Sequence, residues 1–136
     1  MNDIPVKKFA PLPERFNKIS GAIVDSALAV HRYYGPGLKE SLYEESLIIE
    51  LTDRGILAES QVTLPVQYYK RTLKQRLVLD LLIEKSIIVE IKSTNGILSV
   101  HEQQLLTYLK ITGLRLGLII NFNAPLIKQG IKRIIR

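Results

Sequence analysis

Two runs of branched aliphatic residues, parted by a few polar ones, limit this fold more tightly than any other feature. Residues 73–83 and 86–93 are rich in Leu, Val and Ile, with Glu84-Lys85-Ser86 as the break. So short a connection predicts an antiparallel hairpin. With the turn centred on Lys85, facing residues have numbers that add to about 170. Asp80 then faces Glu90, Leu82 faces Ile88, and Val78 faces Lys92. Side chains alternate along a strand, so Asp80, Glu90 and Lys92 are expected on one face. Leu77, Leu79, Leu81 and Ile83, with Ile87, Val89 and Ile91, would fill the other.

Charged groups in strands this apolar are costly unless they are paired or bind a metal. Two carboxylates on facing positions repel one another unless something positive lies between them. A hard divalent cation, Mg²⁺ or Mn²⁺, suits oxygen donors of this kind. Asp80, Glu90 and the backbone carbonyl of Ile91 are the candidate ligands, with Lys92 placed to assist an attacking water. A structural Asp–Lys–Glu ion cluster that ties the hairpin together explains the local pattern equally well.

The rest of the chain frames that hairpin. Residues 1–14, with Pro5, Pro11 and Pro13, read as an arm ahead of a single domain at 15–136. Phe16, Ile19, Ile23, Ala27, Val30 and Tyr34 recur at helical steps and predict a helix that Gly35-Pro36-Gly37 stops. A second helix is expected from Glu40 to Arg54. An extended stretch over residues 57–69 follows, with Pro65 marking an edge strand or bulge. After the hairpin come a helix from Ser99 to Thr112, with Ser99 as N-cap and Glu102 completing a capping box, and a strand from Leu114 to Phe122. A short element is expected at Ile131 to Ile135. The order ααβββαβ predicts an α/β (α+β) sandwich around one mixed sheet.

The 136 residues suffice for one hydrophobic core. No cysteine is present, which excludes a disulfide framework and a thiolate zinc site. No apolar run spans a membrane, the N-terminus lacks the apolar stretch of a signal peptide, and a cytoplasmic setting is the expectation. A net charge of +6 is compatible with nucleic acid as partner.

Asp80, with Glu90-Ile91-Lys92 on the next strand, resembles the signature of the PD-(D/E)XK nuclease superfamily. Gly37-Leu38-Lys39-Glu40-Ser41-Leu42-Tyr43 is similar to the pattern that names the GxxExxY family. The flanks Val30-His31, Gly35-Pro36-Gly37 and Glu44-Glu45 resemble that family too, as do Leu64-Pro65-Val66, the run His101 to Leu106, Tyr108-Leu109, and Asn121-Phe122 followed by Ala124-Pro125. The superfamily's proline ahead of the first acid is absent, and Leu79 stands there. The resemblance implies a restriction-endonuclease-like core and a Mg²⁺-dependent hydrolase of DNA or RNA phosphodiesters. It also implies a helical acid and a Gln-x-x-x-Tyr motif, which Glu40 and the pair Gln104 and Tyr108 match. Without the resemblance, Glu40 is explained by the helix dipole, and Gln104 and Tyr108 by one polar helix face. The alternative is a catalytically silent module that binds nucleic acid or a protein on the same fold. A homodimer is compatible with the apolar content and the edge strand at Pro65.

Overall fold

The computed structural model describes residues 10–136. The expected arm over residues 1–14 lies largely outside the described residues, and helix α1 (Glu14–Tyr34) begins at its last position. Then follow α2 (Glu40–Asp53), β1 (Ala58–Tyr68), β2 (Arg71–Ile83), β3 (Ile87–Lys92), α3 (Ser99–Thr112), β4 (Leu116–Asn121), a 3-10 turn (Ile127–Gly130) and β5 (Ile131–Ile135). The five strands form one mixed sheet in the order β1-β2-β3-β4-β5. Only β3 and β4 are parallel, and α3 makes the crossover between them. The short element expected after Pro125 is thus an edge strand, antiparallel to β4. Lys132 and Arg133 on that edge discourage further pairing.

The sheet is covered on both faces, which is why β3 and β4 read as unbroken apolar runs. On one face α1 and α2 lay Ile23, Ala27, Val30, Tyr43, Leu47 and Leu51 over Leu81, Ile83, Ile87, Val89 and Ile91. On the other, Leu105 and Leu109 of α3 cover Leu79, Ile88 and Ile119. The expected hairpin register holds: Leu81 pairs with Val89, Leu82 with Ile88, and Ile83 with Ile87.

The expected faces hold only in part. Leu81 and Ile83 lie under α1 and α2, whereas Leu77 and Leu79 pack in the α3 cluster. The β2–β3 ladder stops at the Leu81–Val89 pair, so Val78 never faces Lys92. β1 changes face at the same level: Ala58 joins the first cluster, Val62 and Leu64 the second, and Gln61 between them has φ 51°. Strands β1 and β2 therefore leave the sheet plane together at Gln61 and Asp80. Leu77, Val78, Leu79, Leu81, Leu82 and Ile83 are apolar at both parities, so alternation could not reveal the switch.

The N-cap of α3 is also a correction. Leu98 caps the helix and Ser99 is already inside it. His101 Nδ1 accepts the Leu98 N–H at 3.1 Å, and Glu102 instead pairs with Lys132 at 3.2 Å. Within β1, Pro65 marks the expected irregularity, a register shift against β2 between Pro65 and Gln67.

Candidate metal centre

The parting of β2 from β3 creates the site. Past Val89 the β3 backbone stays paired with β4 but loses β2 on its other edge, and the Asp80 side chain takes over there: its Oδ2 accepts the Ile91 N–H at 2.9 Å. Asp80 opens on a cleft of about 520 Å³ lined by Glu40, Glu44, Gln61, Ile91 and Ser93. Glu90, by contrast, is enclosed at 5% exposure. Alternation puts it with Ile88, toward α3. The two acids meet through the gap between the strands rather than side by side on one pleat.

Burial dominates the chemistry of Glu90 and pushes its carboxyl up to about 9; a hydrogen bond shared with the Asp80 carboxylate and the Asp80 charge add to that, while Lys92 and the Asp80 backbone N–H oppose it. At neutral pH Glu90 therefore keeps its proton and shares it with Asp80. Even so, Glu90 Oε1 is buried and has no hydrogen-bond partner among the described residues. A buried oxygen left unpaired costs about 1–3 kcal/mol. Groups in this state call for an explanation, and coordination of a cation would supply one.

The donor set fits a hard cation that completes its shell with water. Among the described residues no three acidic or histidine side chains converge on one point, so an all-protein cage is absent. Mg²⁺ does not need one: one or two carboxylates, waters and a substrate phosphate are its usual shell. The expected ion cluster is not formed, because Lys92, half-buried, makes no ion pair among the described residues.

The second rank of predicted residues surrounds the acids. Glu40 Oε1 accepts the Ser93 N–H at 3.3 Å, while Ser93 Oγ donates to the Leu38 carbonyl at 2.7 Å. The start of α2 is thereby stitched to the end of β3. Tyr43 fixes the same corner. Its buried ring stacks on Phe122 at 4.5 Å, and its hydroxyl donates to the Gly35 carbonyl at 2.6 Å while accepting the Leu38 N–H at 3.1 Å. Gly37, at φ 100°, supplies a turn that a side chain would resist. The Gly-Glu-Tyr spacing thus encodes a turn, a cleft acid and a latch. Tyr43→Phe is expected to keep the stack and cost about 1 kcal/mol in urea denaturation. A variant as stable as the wild type would mean that the latch is idle.

Tyr108 lies half-buried; burial raises its hydroxyl pKa first, and the nearby Glu90 and Asp80 charges raise it further against a hydrogen bond from Gln104. Tyr108 is thus close enough to sense both acids, and exposed Gln104 reaches them through it. Glu44 and Gln61 are functional candidates that the sequence reading missed. Gln61 Nε2 donates to Glu44 Oε1 at 2.9 Å across the cleft. Burial raises the Glu44 carboxyl, with the Asp80 and Glu40 charges adding to it and the Gln61 bond opposing. The signal was present for Glu44, which sits one turn after Glu40 on the same helix face. The histidines stay out of the site: His31 Nε2 donates to the Ala124 carbonyl at 2.8 Å, and His101 caps α3. A second cavity, about 570 Å³, lies beside Asn121 and Gly130. Its one carboxylate, Glu102, is already paired with Lys132, so it offers no acid pair.

Known proteins bear on this geometry in two ways. The solved structure of SSO0001 superposes with a TM-score of 0.52 at 22% identity, over 90% of this chain and 60% of that one. The present chain thus spans less than two thirds of that protein, and the likeness shows a shared fold. No curated protein matches the sequence. Among the described residues no helix is long and apolar enough to cross a membrane. A family model described as the PD-(D/E)XK nuclease superfamily matches residues 17–134, from α1 to β5. That span takes in the mixed sheet, its flanking helices and the acid pair where β2 leaves β3, and the chain belongs to the PD-(D/E)XK nuclease superfamily, with a restriction-endonuclease-like fold.

Proposed function

We propose that the protein is a metal-dependent nuclease that hydrolyses phosphodiester bonds of DNA or RNA. One observation carries the reading: a buried, unpartnered Glu90 oxygen beside Asp80, in a chain of a nuclease superfamily. Asp80 and Glu90 supply carboxylate oxygens to the cation, Mg²⁺ or Mn²⁺, and the Ile91 carbonyl is the third protein donor. The Ile91 amide, bonded to Asp80, holds that carboxylate in place. When bound, the cation would polarise a phosphate oxygen and lower the pKa of a coordinated water. Lys92 orients the attacking water or offsets charge building on the phosphoryl group. Glu40, across the cleft, holds a water near the metal, and Glu44 adds a second carboxylate there. Tyr108, steadied by Gln104, positions a phosphate or the Lys92 side chain. The finer assignment to the GxxExxY family rests on Gly37, Glu40 and Tyr43 and on the corner they build.

The test is cleavage of labelled single- and double-stranded DNA and RNA with Mn²⁺ or Mg²⁺, and in EDTA. Cutting that requires the metal is the expected result. No cutting of any substrate would leave the same fold as a silent binding module.

A further inference from the structure

The β1–β2 hairpin outruns the sheet. Strand β2 has 13 residues, but only Leu81, Leu82 and Ile83 pair with β3. Strands β1 and β2 continue alone as a ribbon, held by backbone pairing out to Tyr68 and Arg71. Past Val66, residues 67–76 are all exposed among the described residues. That projecting end carries Lys70, Arg71, Lys74 and Arg76, and no acid occurs between Glu59 and Asp80. None of the four cations is in an ion pair among the described residues.

Its apex is built at a conformational cost. Tyr68 and Tyr69 are 66% and 85% exposed, their rings edge to face at 4.8 Å. Tyr69 has φ 54°, in the left-handed region where glycine or asparagine is favoured. A tyrosine held there with its ring in water serves the fold poorly, and strain of this kind points to function. The ribbon is also aimed. Leu77 and Leu79 turn toward α3, so Arg76 and Val78 alternate onto the opposite face, and Lys74 lies just beyond them in the stretch where the register against β1 shifts. That face leads to Asp80 and the cleft, about 20 Å from Lys74 at strand spacing.

We propose that this ribbon is a strand-holding arm that binds single-stranded nucleic acid: Tyr68 and Tyr69 stack on bases while Lys74 and Arg76 track the phosphates toward Asp80. Exposed aromatic faces next to unpaired cations are the chemistry that single strands require, since a duplex hides its base faces. The proposal rests on the nuclease reading for its direction, but the test is independent of cleavage.

The experiment is fluorescence anisotropy of labelled single-stranded and duplex oligonucleotides with the full chain in EDTA. Single-strand binding tighter than duplex binding is expected. Tyr68→Ala with Tyr69→Ala should weaken it about tenfold or more. Lys74→Ala with Arg76→Ala should lower the slope of log affinity against log salt by about 1.4. Tyr69→Asn should lose affinity while Tm stays the same or rises, which a merely structural tyrosine would not allow. Unchanged affinity in the tyrosine variants, or preference for duplex, would overturn the proposal. Dimers in sedimentation that the tyrosine changes dissolve would overturn it too, by making the arm a self-association edge. If the arm binds as expected and no substrate is cut with metal, only the nuclease reading fails.

Discussion

Asp80→Asn is expected to lower metal-dependent cleavage by about a thousandfold or more while leaving the fold intact. The fold survives because the structural duty of Asp80 needs an oxygen, not a charge. Its Oδ2 accepts the Ile91 N–H, and the Asn side-chain oxygen can accept the same bond. What the variant loses is one anionic donor to the cation. Its neighbour Glu90, protonated at neutral pH, loses a charged hydrogen-bond acceptor, so a small fall in thermal stability, well short of unfolding, is expected. Lys92→Ala is the companion change, and a smaller loss, about a hundredfold, is expected, since it removes assistance and not metal binding. Gel-based cleavage with circular dichroism on the same samples checks both. A folded Asp80→Asn protein that cuts like the wild type would mean that the chemistry lies elsewhere.

Glu90→Gln in metal-free protein should be more stable than the wild type, by on the order of 3 kcal/mol at pH 7. The sign follows from where the proton sits. Burial and Asp80 push the folded carboxyl up to about 9 from an ordinary 4.5. Between those values the unfolded chain gives up the proton and the folded chain keeps it. The protonated form's contribution is therefore complete below pH 4.5 and is lost progressively as pH rises toward 9, by up to about 1.4 kcal/mol per pH unit. Glutamine imitates the protonated carboxyl, so the variant should show a much flatter profile. The gap between the two proteins should then be small at pH 4.5 and widest near pH 9. Urea denaturation across that range in EDTA reads it directly. The same substitution should abolish cleavage, a gain in stability against a loss of activity that a simple core residue does not produce.

The hairpin register over Leu81–Val89, Leu82–Ile88 and Ile83–Ile87 was legible because a short turn fixes it, but the expected facing of Asp80 and Glu90 was not, since the ladder ends one pair short of them. The same reasoning failed on the faces. Alternation assumes an unbroken pleat, and β2 parts from β3 at Asp80 itself. With Leu, Val and Ile at both parities from 77 to 83, no pattern marks that point. Gln61 was missed for a related reason: its importance comes from φ 51° and from Glu44 across the cleft, and neither is written in strand periodicity. Ser99 met the compositional rule for an N-cap, yet His101 made the neighbouring Leu98 the cap through a side chain no capping-box pattern includes. Pro65 was readable because a missing N–H restricts where a strand can carry it.

The most direct test of the central claim is a calorimetric titration of Mn²⁺ into the full chain at pH 7, in two buffers of different ionisation heat, beside Asp80→Asn. Because Glu90 holds a proton that a cation must displace, uptake at one saturable site with release of close to one proton is predicted, and Asp80→Asn should lose it. No saturable uptake, or uptake that Asp80→Asn leaves unchanged, would contradict a cation site at Asp80 and Glu90.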